Sequence, residues 1–295
     1  MSKIAYLDCF SGVSGDMLLG ALIDAGLAEE ALRGELAKLG LGGYRLEVAK
    51  TQRAGLAATR VTVVTEETTQ PRRLADILTL IDESEVPPAD KERGAQIFRG
   101  LAAAEARVHG VGPEEVEFHE VGAVDALVDV LGTVAGLRLL DIDSLYCSPL
   151  PMGGGSAASA HGELPVPAPA TLALLAEAGA PLTAGPDPGV ELVTPTGAAI
   201  VTALARFDRP AMTLEAVGYG AGARDLEGRP NVLRLWLGRA LPGRPATMLL
   251  IETNIDDMVP ELYGYVQERL FETGAADVWT TPVQMKKGRP GVLLS

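Results

Sequence analysis

Residues 4–26, IAYLDCFSGVSGDMLLGALIDAG, decide how the rest of the chain is read. A short apolar run, Ile4 to Leu7, has the look of a buried strand, and Asp8 closes it. A small-residue turn follows, Ser11-Gly12-Val13-Ser14-Gly15-Asp16, and then an apolar segment from Met17 to Ala25 that predicts a helix, with Gly26 as its stop. Strand, glycine turn and helix together aim backbone N–H groups at one point beside a helix N-terminus. Gly12 and Gly15 admit a ligand close to the backbone. Asp8 falls at the strand's carboxyl end, where ligands of open α/β sheets bind. The turn is neither a P-loop nor a GxGxxG fingerprint, because no Lys-Ser or Lys-Thr follows and the glycine spacing differs. A plainer reading stands beside the ligand site: Ser14 or Asp16 caps the helix and the glycines only make the turn.

Outward from this stretch, residues 29–39 read as a second helix, and 44–49 and 59–64 as strands joined by a turn at Arg53-Ala54-Gly55. Residues 66–73 form a polar loop, 74–81 a helix, and 89–109 an amphipathic helix with Ile97, Leu101 and Ala104 on one face. FHEVG, from Phe118 to Gly122, breaks the chain before a long apolar helix over 123–140, and 141–146 reads as a strand. Residues 147–169 carry Pro149, Pro151, Gly153-Gly154-Gly155, Pro165, Pro167 and Pro169 and read as one long irregular loop. Helices follow over 171–179 and 198–206, the second capped by Thr194 or Thr196. Gly218-Tyr219-Gly220 reads as a glycine turn and 231–237 as a strand. Pro242, Gly243 and Pro245 mark a linker, beyond which 247–253 is a strand, 259–273 a helix and 277–282 a short strand.

The fold class is therefore α/β: an N-terminal mixed α/β domain over 1–240, then a smaller unit over 246–295. With 295 residues, 47% of them apolar, the chain has ample core material, and 4% aromatics means that Ala, Leu and Val must build it. A formal charge of −14 argues against a nucleic-acid surface, which needs concentrated Lys and Arg, and is compatible with a cationic partner or with ordinary solubilising charge. The two cysteines, Cys9 and Cys147, make no disulfide framework. No apolar run approaches the roughly 20 residues of a membrane helix. These features lead us to expect a soluble cytoplasmic protein without a membrane or nucleic-acid partner.

Three histidines make each one worth weighing. His109 ends a helix, where the dipole accounts for it. His119 and Glu120 stand in the break before the apolar helix, and Asp125 and Asp129 lie four apart on it, so they share a face. An ionised carboxylate among Ala, Val and Leu is costly unless paired or bound to a cation. These four residues make a cation or general-base cluster, unless Asp125 serves the helix dipole and His119 is structural. His161 and Glu163, two apart in the proline-rich loop, can reach one metal, and imidazole suits nickel, zinc or copper. Asn254, Asp256 and Asp257 offer oxygen ligands for Mg²⁺ or Mn²⁺ against a triphosphate, with capping as the alternative. Lys286, Lys287 and Arg289 form a basic turn suited to phosphate or simply to solvent.

Taken together, DCFSGVSGDM, FHEVGAVDALVDV, AHGELPVPAPAT, ELVTPTGAAI, GYGAGARD, NIDDM and QMKKGRPG resemble, in this order and over essentially the whole chain, the nickel insertases of nickel-pincer nucleotide cofactor synthesis. The resemblance implies that pyridinium-3,5-bisthiocarboxylic acid mononucleotide receives Ni²⁺ and becomes an SCS pincer complex. It implies that CTP is consumed with Mn²⁺ or Mg²⁺, and that the product serves a lactate racemase-type apoenzyme. It further implies a nucleotide site in a ferredoxin-like C-terminal domain, matched here by Asn254, Asp256, Asp257, Lys286, Lys287 and Arg289. On this resemblance the chain would end inside that domain, leaving a homo-oligomer or a C-terminal companion polypeptide to complete it. The histidine-rich stretch that such proteins often carry after the second strand is missing from residues 65–73, which argues against nickel storage rather than insertion.

In the resulting expectation His119, Glu120, His161 and Glu163 hold nickel. Asp8, Asp16 and Asp125 act as catalytic acids and bases. Gly12, Ser14 and Gly15, or Thr196 and Gly197, take the substrate phosphate at a helix N-terminus. Two rivals remain: a non-enzymatic nickel carrier, and a nucleotidyl- or phosphoryl-transferase acting on another substrate.

Overall fold

The computed structural model describes residues 2–65, 72–118, 124–159, 162–185, 190–241 and 249–295, without the side chains of 157–159. The chain divides into two compact units, Met1–Pro242 and Gly243–Ser295.

The first unit opens with β1 (Lys3–Asp8), α1 (Gly15–Asp24) and α2 (Glu29–Ala37), then the hairpin β2 (Tyr44–Arg53) and β3 (Leu56–Thr65). Next come β4 (Arg72–Arg73), α3 (Leu74–Glu83), α4 (Pro88–His109), β5 (Glu117–Phe118) and α5 (Val124–Leu139). Four short strands follow, β6 (Ser144–Cys147), β7 (Leu150–Met152), β8 (Ser156–Ser159) and β9 (Gly162–Pro165). The unit closes with α6 (Pro169–Glu177), β10 (Leu182–Ala184), α7 (Pro195–Leu204), β11 (Ala205–Arg206), β12 (Met212–Ala221) and β13 (Val232–Ala240).

Seven of these strands make one mixed sheet in the order β11-β6-β1-β13-β12-β3-β2. β1 runs parallel to β6 and antiparallel to β13, so the opening strand is central. Register places Ala5, Leu7, Leu145, Cys147, Leu235 and Leu237 on one face, and all are buried. That face takes α1, which packs on β3, β12 and β13, with α5 and α7 beside it and α4 outside them. Leu, Ile, Val and Ala supply nearly all of this core, with Phe98 its largest fully buried side chain. Each buried Leu contributes on the order of 1.5–3 kcal/mol, so small aliphatic groups in number replace aromatic bulk.

Several expectations need correction. Gly218-Tyr219-Gly220 is not a turn but the middle of β12. A Cβ on Gly218 would lie 2.1 Å from the Ala21 carbonyl oxygen and one on Gly220 1.8 Å from that of Met17, so the glycines let α1 settle on the strand. The long irregular loop over 147–169 is organised into β7 and the antiparallel pair β8–β9. The helix expected to reach Arg206 ends at Leu204, and Arg206 belongs to β11, parallel to β6. The strand expected over 141–146 begins only at Ser144, because Asp141, at φ 53, still belongs to the turn after α5.

The second unit contains β14 (Thr253–Ile255), α8 (Leu262–Glu272), β15 (Thr280–Gln284) and β16 (Pro290–Leu294). Its sheet has the order β14-β16-β15, antiparallel throughout. Of the strand expected over 247–253, residues 247 and 248 lie outside the described residues; β14 begins at Thr253, and its Asn254 pairs with Leu293.

Candidate functional site

The turn after β1 is built on backbone bonds. Gly12 N–H donates to the Cys9 carbonyl at 2.8 Å. Gly12 sits at φ +96, a left-handed conformation, and a Cβ there would fall 1.8 Å from the Leu192 carbonyl oxygen, so glycine is required twice over. Val13 bonds the segment before α7 in both directions, Val13 N–H to the Leu192 carbonyl at 2.9 Å and Thr194 N–H to the Val13 carbonyl at 3.1 Å. Thr194 caps α7 by accepting from Gly197 N–H at 3.1 Å, which settles the choice between Thr194 and Thr196. A Cβ on Gly197 would meet the Val13 carbonyl at 2.3 Å. The N-terminal turns of α1 and α7 thus lie side by side, bringing Gly12, Ser14 and Gly15 together with Thr196 and Gly197. Two helix N-termini carry about half a positive charge each and favour an anion beside them.

The start of α5 meets the same place. A Cβ on Gly15 would lie 2.2 Å from Asp129 Oδ2, so the Asp129 carboxyl group rests on the first residue of α1. Asp129 Oδ1 is buried and has no hydrogen-bond partner. Burial, then the charges of Asp16 and Asp125, push its carboxyl well above the ordinary carboxylate range. Asp129 thus holds its proton to higher pH than an ordinary carboxyl group does. Asp16 accepts from Met17 N–H at 2.9 Å and from the Ser14 hydroxyl. Burial raises its carboxyl too, opposed by those hydrogen bonds and by the Arg60 guanidinium. Asp125 lies in the first turn of α5 and is exposed, which corrects the expectation that it shares the buried setting of Asp129. Of the two, Asp129 is half-buried, with its Oδ1 wholly covered.

The remaining sequence candidates separate. Asp8 pairs in register with Arg234, whose Nε donates to Oδ2 at 3.0 Å, so its charge is already answered. Glu163 is exposed on β9 and accepts from the Ser156 hydroxyl. His119, Glu120 and His161 lie outside the described residues. Among the described residues no three His, Cys, Asp or Glu side chains are placed to hold a metal ion together. Cys9 and Cys147, 138 residues apart, meet with sulfurs at 3.5 Å between neighbouring strands. The hydrogen bond with Cys147, then burial, holds the Cys9 thiol well above its ordinary value. A protonated thiol is a poor nickel ligand, and Cys9 packs here as a small apolar residue of the core.

Two further groups escaped the sequence reading. Arg60, on β3, has its Nε buried without a hydrogen-bond partner and acts on Asp16. Arg229 Nε donates to Ser11 Oγ at 3.1 Å, while Ser11 Oγ donates to the Pro230 carbonyl at 2.7 Å, fastening the turn from its other side. An arginine within a run of β-branched residues was the available signal for Arg60; nothing local marked Arg229.

In the second unit, Ile255 pairs with Val292 and Gln284 with Pro290. The end of β14, leading into Asp256 and Asp257, and the turn carrying Lys286, Lys287 and Arg289 therefore emerge at one end of the sheet. All five side chains are exposed.

Comparison with known proteins meets this geometry here. The chain matches the nickel insertion protein family over residues 5–295. It belongs to that family. Relatives named "Putative nickel insertion protein" include one from Roseiflexus castenholzii, 52% identical over 100% of this chain and 75% of its own length. Another, from Thermomicrobium roseum, is 52% identical over 99% of this chain and 73% of its own. One from Dictyoglomus thermophilum is 45% identical over 99% and 76%. No solved structure matches the chain. Nickel insertion is thus the role its family carries, with Ni²⁺ as the metal handled. Among the described residues no helix is long and apolar enough to cross a membrane.

Proposed function

We propose that this protein is a nickel chelatase that inserts Ni²⁺ into pyridinium-3,5-bisthiocarboxylic acid mononucleotide, giving the SCS nickel-pincer cofactor, in a CTP-dependent reaction in the cytoplasm. The observation that carries the reading is the meeting of two helix N-termini with an acidic pair, Asp16 and Asp129, at one turn. A mononucleotide presents a phosphate, which suits the N–H groups of Gly12, Ser14 and Gly15 or of Thr196 and Gly197. The pincer's central carbon gives up a proton as it takes the metal, so a base must stand nearby. Asp16 is the base we assign, with Asp125 at the exposed side of the same site. Asp129 faces the charges of Asp16 and Asp125, which favour its protonated form beside the base.

His119, Glu120, His161 and Glu163 remain the nickel ligands we propose; imidazole and carboxylate release nickel to sulfur more readily than a thiolate cage would. Asn254, Asp256 and Asp257 offer the oxygen donors that Mg²⁺ or Mn²⁺ prefers, and Lys286, Lys287 and Arg289 leave the same end of their sheet to meet CTP phosphates. The metal would neutralise triphosphate charge there. We assign the second unit, Gly243–Ser295, to a ferredoxin-like CTP-binding domain. The finished cofactor would pass to a lactate racemase-type apoenzyme.

The test combines purified protein, the bisthiocarboxylate mononucleotide, Ni²⁺, Mn²⁺ and CTP, with single omissions, and follows the nickel adduct by mass spectrometry. The proposal expects adduct only with nickel and CTP together. Stoichiometric transfer without CTP would identify a carrier, and turnover of nucleotide without nickel a transferase; either result overturns it.

A further inference from the structure

Among the described residues, the helices in substantial contact with the seven-stranded sheet pack on one face of it, the face that carries Leu7, Leu235, Gly218 and Gly220. On the other face, register places one row across five neighbouring strands: Arg206, Tyr146, Tyr6, Trp236 and Val217. Four strand spacings make this row about 19 Å long. In a chain with 4% aromatic residues, three of the row's five members are Tyr or Trp; Tyr6 is buried beneath its neighbours, and Tyr146 and Trp236 are half-buried. Tyr6 and Trp236 rings stand 5.2 Å apart at a 56° tilt. Arg209 and Arg234 each hold a guanidinium 5.2 Å from the Trp236 ring centroid.

The charge of this face opposes that of the chain. Asp8 answers Arg234, while no ion pair among the described residues answers Arg206 or Arg209, both exposed. Arg206 and Arg209, with the exposed Asp208 between them in sequence, thus leave unanswered guanidinium charge on this face of a protein of formal charge −14. Trp, Tyr and Arg are the side chains that carry most binding energy at protein interfaces, and a flat sheet face suits a macromolecule better than a small ligand. We propose that this face docks an acidic, aromatic-bearing segment of a partner polypeptide, its carboxylates meeting Arg206 and Arg209 and its rings meeting Tyr146 and Trp236. A nucleic acid fits less well. Its extended phosphate charge would run past the face onto the acidic remainder of the chain.

The test uses the full chain with Trp279→Phe, so that Trp236 is the one emitting tryptophan. A short peptide alternating glutamate and tyrosine is titrated while Trp236 emission is followed. The proposal expects a saturable shift that weakens with added salt, and at least about tenfold weaker binding for Arg206→Ala/Arg209→Ala with unchanged circular dichroism. No shift up to millimolar peptide would overturn it, as would equal binding by the double variant. So would tighter binding of a single-stranded oligodeoxynucleotide, or self-association of the unliganded chain through these same arginines.

Discussion

Gly15→Ala probes the joint on which the candidate site depends. A helical Gly replaced by Ala normally gains up to about 1 kcal/mol from propensity. Here the new Cβ would stand 2.2 Å from Asp129 Oδ2 and 2.4 Å from both Asp129 Cβ and Cγ. Of these atoms Asp129 Cβ is fixed by the backbone of α5, so rotating the Asp129 side chain cannot clear the contact. The helices must part, at the upper end of the roughly 1–3 kcal/mol range for overpacking. The net loss is about 2 kcal/mol, which for a unit of this size lowers Tm by about 4–8 °C. Urea unfolding followed through Trp236, with Trp279→Phe to silence the second unit, measures it. Asp129→Ala should relieve only part of the clash, since its Cβ remains, and Asp129→Gly should relieve all of it. A Gly15→Ala protein as stable as its parent would refute the close approach of α1 and α5, and with it the geometry of the site.

Other outcomes follow from the same contacts. The folded Asp129 carboxyl titrates above its unfolded value of about 3.9, so its contribution is complete below that pH and is lost as pH rises through the folded value. Asp129→Asn should therefore gain stability on the parent as pH rises from acid to neutral, and a pH-independent difference in urea midpoints would contradict this. Thr194→Ala should cost about 1 kcal/mol through loss of the α7 cap, and an unchanged midpoint would deny that cap. Gly220→Ala should lower soluble yield sharply, because its Cβ would lie 1.8 Å from a helix carbonyl; normal expression and melting would show the strand–helix contact to be looser. Lys286→Ala/Lys287→Ala should weaken CTP binding in calorimetry while sparing nickel uptake, and unaltered CTP affinity would remove the basic turn from the nucleotide site.

Much of this was legible in the chain. The opening strand and helix announce themselves because an apolar run and a 3.6-residue pattern are signals carried by neighbouring residues alone. Gly218-Tyr219-Gly220 was misread because a glycine that makes a turn and one that admits a helix look alike in sequence. The exposure of Asp125 against the burial of Asp129 depends on which neighbours cover α5, a tertiary fact with no mark in an apolar run. The Cys9–Cys147 contact and the Arg229 tie join positions far apart in the chain, and no spacing rule connects them. Thr194, by contrast, carried its cap signature openly, one residue before Pro195.

The most direct measurement compares the native chain with Asp16→Asn for nickel transfer to the bisthiocarboxylate nucleotide, read as adduct by mass spectrometry beside an unfolding curve. The account predicts an Asp16→Asn protein that folds as the parent does and forms little or no adduct. A folded Asp16→Asn protein that forms the adduct at the parental rate would contradict it.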